Sequence, residues 1–192
     1  MNRRTNTAHQ ISSAEHVQRH INTKLNKTLV TVSPGGLYIT DQDEVISTVL
    51  GSCITVCARD ATCGVGGMNH FMLPGSAEEL SSNNQEELLK LGIYSLPYLL
   101  EQLYSLGAQK ESLELKVFGG GAIISKTGDA GKANTDFAMQ YIKHHGLNLV
   151  SYDVGGKLPR KVNYMPVTGQ VYMKRLRALH KKVVAKREGN SI

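Results

Sequence analysis

The chain has no tryptophan, only three phenylalanines and five prolines, and three cysteines in 192 residues. An odd cysteine count leaves at least one thiol unpaired in any disulfide scheme, and so few in this length do not make a disulfide-stapled scaffold. No apolar run approaches the length of a bilayer, and the N-terminal MNRRTNTAHQ carries basic residues without the apolar stretch of a secretion signal. The expectation is therefore a cytoplasmic protein whose thiols stay reduced. Acidic residues are also in deficit, 16 against 22 Lys and Arg, for a net charge of +6. Much of the excess lies at the two ends, in Arg3, Arg4, Arg19, Lys24 and Lys27 and again in Lys174, Arg175, Arg177, Lys181, Lys182, Lys186 and Arg187. Interleaved aromatics, a zinc finger and an RNP-like strand are all missing, so nucleic acid is not an expected partner. Such ends read as solvated tails first and as aids to docking an acidic protein second.

What remains is enough apolar sequence, 41%, for one substantial core and too little length for two. Residues 1–28 are polar without a sustained apolar period and read as a flexible or weakly helical leader. A single domain is expected over 29–178, followed by a basic tail over 179–192. From Leu29 short strands follow quickly: LVTVS, GLYIT after the Pro34-Gly35-Gly36 turn, VISTVL, CITVCA and VGGMNHFML. Leu89, Ile93, Leu96, Leu100 and Leu103 recur at helical spacing, with Gly107 placed to end the helix and Pro97 requiring a kink or a late start. A second helix is expected over Asn134 to His145, capped by Asn134 or Thr135 and ended by Gly146, with His144 and His145 as structural residues of its last turn. LELKVFGG before it and LNLVSYDVGG, RKVNYMPVTG and QVYMKRL after it read as strands. Strands at both ends with two helices inserted make an α+β domain.

The chemistry concentrates in LGSCITVCARDATCGVGGMNHFMLPG, from Leu50 to Gly75. Cys53 follows Gly51 and Ser52, where backbone N–H groups are uncluttered by side chains, and His70 comes seventeen positions later behind Gly66 and Gly67. A thiol and an imidazole on two strands joined by a short turn can meet, and together they form a nucleophile with its own base. Strand parity puts Cys53, Thr55 and Cys57 on one face and Ile54, Val56 and Ala58 on the other. Cys57 reads as inert packing and Cys63 as a turn residue without a role. The gaps between Cys53, Cys57, Cys63 and His70 are unlike the close CxxC knuckles of a zinc site, and none is expected. FGGGA lacks the Lys-Ser/Thr of a phosphate loop and reads as a tight turn supporting the region.

The run from Val49 through Pro74 resembles the chemoreceptor glutamine deamidases, the CheD family, whose signature is a GSC turn followed by a GGMNHFMLP-type block at this separation. PGGLYIT (34–40), KVFGGGA (116–122) and DVGGKLPRKVNY (153–164) extend the resemblance in the same order along most of the chain. It implies a mixed or antiparallel β-sandwich-like core flanked by helices, with a Cys/His deamidase architecture of the toxin-deamidase kind. It also implies hydrolysis of specific glutamine side chains in the cytoplasmic helical region of methyl-accepting chemoreceptors, through a thioester on Cys53 with His70 as base. No cofactor or metal is called for, since sulfur and imidazole supply nucleophile and proton shuttle. The family pattern has a hydroxyl residue six positions before the cysteine to orient the histidine; that position is Ser47, favoured by position and parity, with Thr48 beside it as the alternative. Some family members also hydrolyse receptor methyl esters and some bind a CheC-type phosphatase; the competing reading is a non-catalytic chemotaxis adaptor that docks receptors or a CheC-type phosphatase.

Overall fold

A computed structural model describes residues 10–23, 26–123 and 130–177. Among the described residues the strands are β1 (Gln10–Ser12), β2 (Val17–Asn22), β3 (Lys27–Val32), β4 (Leu37–Thr40), β5 (Val45–Leu50), β6 (Ile54–Asp60), β7 (Val65–Asn69), β8 (Leu113–Gly119), β9 (Leu149–Val154), β10 (Arg160–Met165) and β11 (Gln170–Arg175). The α-helices are α1 (Gln85–Leu89), α2 (Gly92–Ser105) and α3 (Ala130–His144). The strands form two mixed sheets, one of six strands in the order β1-β4-β7-β6-β8-β9 and one of five in the order β11-β10-β5-β3-β2. Within them β8–β9 and β3–β5 are parallel and the other neighbours antiparallel. This is the expected α+β domain.

Alternation along β6 explains the layering. Ile54, Val56 and Ala58 pack with Leu96, Leu99 and Leu103 of α2 and Ala138 and Ile142 of α3. Cys53 and Cys57 face the other way, into a second apolar layer with Val30, Val32, Ile46, Leu50, Val162 and Tyr164 of the five-stranded sheet. The six-stranded sheet is thus the middle layer, between the helices and the five-stranded outer sheet. The opposite face of the outer sheet carries residues of the other parity, including the exposed Lys161 and Tyr172 and the buried Val45 and Ser47.

Several expectations need correction. The polar stretch read as a leader contains β1, paired with β4, and β2, paired with β3. Both are sheet-edge strands with mostly exposed or half-buried side chains, so neither needs the apolar alternation by which strands are read. Residues 1–9 and 179–192 lie outside the described residues. The second helix starts at Ala130, which puts Asn134 inside it and not at its cap. The expected helix is divided into α1 and α2, with Leu91 bridging Leu73 between them, but Pro97 lies inside α2 beyond its first turn, so the break is not the late start that Pro97 suggested. Gly107 and Gly146, at φ +99° and +59°, follow the helix ends as expected.

Candidate active site

β5 belongs to the outer sheet and β6 to the middle sheet, so the chain changes layers through Gly51 and Ser52 and delivers Cys53 between them. Three successive carbonyls of this turn are held: Gly51 O by the Gly121 N–H at 2.7 Å, Ser52 O by the Asn134 side-chain Nδ2 at 3.0 Å, and Cys53 O by the Gly120 N–H at 2.8 Å. The FGGGA segment is therefore the support that its sequence suggested. A Cβ on Gly119, at φ +118°, would lie 2.1 Å from Cys53 O. One on Gly120, at φ +65°, would lie 2.0 Å from Thr135 Oγ1. Only glycine allows this approach.

His70 comes from the end of β7. Its backbone N–H donates to Gly36 O and its carbonyl accepts from the Gly35 N–H, both at 2.8 Å, so the 34–36 turn anchors it. Asn69 fixes the same strand from within: its Oδ1 accepts from the Val56 N–H at 2.9 Å and its Nδ2 donates to Ser95 Oγ at 3.1 Å. Ile54 and Phe71 are opposed by two backbone hydrogen bonds of 3.1 and 3.0 Å. Their side chains both face the helices, which sends Cys53 and His70 to the opposite face as diagonal neighbours, roughly 7 Å apart at the backbone. Both are buried, at 1% and 0% exposure.

The hydroxyl partner of His70 is Thr48. Its Oγ1 lies 2.8 Å from His70 Nδ1 and donates its hydrogen to Val32 O at 2.7 Å. A hydroxyl has one hydrogen, so with that spent on Val32 it can only accept from the ring. His70 is thereby the Nδ1–H tautomer, with the basic lone pair on Nε2. Ser47, the favoured orienter, sits elsewhere: it is buried and paired with Asn163 on the opposite face of the outer sheet, and its Oγ donates to Asn163 Oδ1 at 2.7 Å. Counting parity from Cys53 back to Ser47 assumes one continuous strand, and the bend at Gly51–Ser52 breaks it.

The other thiols are set apart. Cys57 lies one strand repeat further along the same face, and burial pushes its thiol far above the usual range, outweighing the nearby Lys116. Cys63 is in the exposed turn beyond the far end of β6, about 20 Å of strand away from Cys53. Among the described residues no three His, Cys, Asp or Glu side chains converge as metal ligands would.

Asn134 is the residue whose place here the sequence did not reveal. It is fully buried, and its Nδ2 donates both to Ser52 O and to Met72 O, the latter at 2.7 Å. Its Oδ1 is buried with no partner among the described residues, a cost of about 1–3 kcal/mol. A capping preference is all that composition suggests for an asparagine near a helix start.

Known proteins are similar to this chain along most of its length. The family described as "CheD chemotactic sensory transduction" matches residues 72–175. A Hydrogenovibrio crunogenus protein named "Probable chemoreceptor glutamine deamidase CheD" is 40% identical over 176 residues, 92% of this chain and 92% of its own. Proteins of the same name from Hahella chejuensis and Vibrio vulnificus are 41% and 39% identical, over 83% and 87% of this chain and 76% and 80% of theirs. With more than half of its residues inside the family match and relatives at this identity along most of its length, the chain belongs to the CheD family.

Proposed function

We propose that this chain is a chemoreceptor glutamine deamidase in which Cys53 is the nucleophile, His70 the general acid and base, and Thr48 the residue that orients His70. The observation that carries the reading is the Thr48 hydroxyl, which commits His70 Nδ1 to donation and leaves Nε2 to act as the base on the face shared with Cys53. Relatives named chemoreceptor glutamine deamidase supply the substrate class. The resemblance to the CheD family implies glutamines in the cytoplasmic helical region of the receptors, and the reading carries a cytoplasmic place of action with it.

Nε2 takes the Cys53 proton, and the thiolate attacks the side-chain carboxamide carbon, forming the C–S bond and a tetrahedral oxyanion. Backbone N–H groups of the Ser52–Cys53 turn hold that oxygen. The protonated imidazole returns its proton to the amide nitrogen, the C–N bond breaks, and ammonia leaves a thioester. A water molecule, deprotonated by His70, attacks the thioester; the C–S bond breaks and glutamate and the Cys53 thiolate are released. An adaptor that only docks receptors would have no use for a buried hydroxyl–imidazole pair beside a thiol.

The test is intact-mass analysis of a receptor cytoplasmic fragment before and after incubation, where each conversion exchanges an NH2 for an OH. Wild type is expected to convert discrete glutamines, Cys53→Ala none, and Cys57→Ala nearly as many as wild type. Conversion by Cys53→Ala would overturn the assignment of the nucleophile.

A further inference from the structure

We propose that Asn134 is a positioning residue for the oxyanion pocket: by holding the Ser52 carbonyl it aims the Cys53 N–H at the oxygen of the bound carboxamide. The inference rests on the Cys53 acyl-transfer reading above. The Ser52 carbonyl and the Cys53 N–H belong to one planar trans peptide and point in opposite directions, so whatever fixes the first aims the second. The neighbouring carbonyls, Gly51 O and Cys53 O, are held by backbone N–H groups of the glycine turn, whereas a side chain, that of Asn134, reaches Ser52 O.

The same amide group donates to Met72 O. Met72 stands across from Cys53 in the pairing that runs on from Ile54 and Phe71, so one side chain ties the backbone on both sides of the nucleophile. Both partners are carbonyl oxygens, which makes the nitrogen assignment unambiguous. Oδ1 is buried and unpartnered among the described residues. An aliphatic side chain would fill this fully buried position of α3 without that cost, so the asparagine is accounted for by what its two donated hydrogens hold.

The experiment compares two reactions of Cys53 in Asn134→Ala and Asn134→Leu. Deamidation of a receptor fragment passes through an oxyanion. Alkylation by iodoacetamide is a displacement at a saturated carbon, in which the thiolate forms a C–S bond as iodide leaves, and it needs no oxyanion pocket. Both variants are expected to lose about 100-fold in kcat with KM within about threefold, the size of effect seen when one oxyanion donor is removed. The rate and pH profile of alkylation should stay those of wild type. The leucine variant fills the space and removes the orphaned acceptor but leaves Ser52 O and Met72 O without this donor, so it is expected to fold with some loss of melting temperature. A kcat within about threefold of wild type in either folded variant overturns the inference, as does a parallel fall in alkylation, which would report a damaged thiol–imidazole pair. If neither variant folds, the role is structural and the inference also fails. Deamidation by Cys53→Ala, by contrast, would bring down the acyl-transfer reading itself and would be seen independently of Asn134.

Discussion

Thr48 has one hydroxyl hydrogen, and the Val32 carbonyl takes it. Everything the imidazole can do follows from that, because a histidine with Nδ1 committed to donation offers a single basic nitrogen. Thr48→Val keeps the shape of the side chain and removes the acceptor, so it should lower kcat by roughly 10- to 100-fold, while Thr48→Ser should recover most of the loss. Ser47→Ala, which removes a hydroxyl bonded to Asn163 on the far face of the sheet, should leave turnover within about twofold of wild type. Steady-state kinetics on a receptor fragment check both, and a reversed order would return the orienting role to Ser47. His70→Asn should raise the apparent pKa of Cys53, because the thiolate loses its compensating cation. The pH dependence of Cys53 alkylation in the two proteins checks this, and an unchanged profile would mean that the side chains do not communicate.

Between β8 and α3, the glycine turn at 119–121 acts on the site without contributing a side chain. Gly119→Ala combines an unfavourable φ of +118° with a Cβ 2.1 Å from Cys53 O, so the Cys53 carbonyl must move. The expected result is a loss of at least about 2 kcal/mol of stability together with a large fall in kcat, measured by chemical denaturation and by deamidation. Gly146→Ala, at φ +59° with open space around it, should cost stability alone. The sequence made this turn legible because three adjacent glycines have few structural uses. It also made β6 legible, since Cys53 and Cys57 do face away from Ile54, Val56 and Ala58. The same alternation misled one bend earlier, where β5 leaves the outer sheet and the count across Gly51 and Ser52 loses its meaning. β1 and β2 escaped for a different reason: an edge strand with Gln18, Arg19 and His20 along it is held by its ladder, and composition alone cannot distinguish it from a loop. Asn134 was hidden because its partners, Ser52 and Met72, are remote in sequence.

Across the whole molecule, acid stability should report Asp60 at the far end of β6. Burial alone would raise its carboxyl, but hydrogen bonds from Ser112, Gln109, Thr62 and Cys63 outweigh it and hold the pKa at about 2. A depressed folded pKa means that its stabilisation is complete above the ordinary carboxylate value of 3.8 and is lost as pH falls from there toward about 2. The melting temperature of wild type should therefore drop more steeply over that window than that of Asp60→Asn, which begins less stable at neutral pH. Parallel curves would mean that the carboxylate carries no such linkage. The division of the site between layers has a further consequence. Thr48 stands on the outer sheet, whereas His70 and Cys53 stand at the ends of middle-sheet strands, and the two are kept in register by apolar contacts such as those of Leu50, Met68, Phe118 and Tyr164 and by the Arg160–Asp153 ion pair between β10 and β9. A chain still emerging from synthesis, or one loosened by damage, carries the thiol but not the aligned imidazole. On the proposed mechanism, hydrolysis therefore requires both sheets to be packed together, and a half-built copy would lack the aligned base.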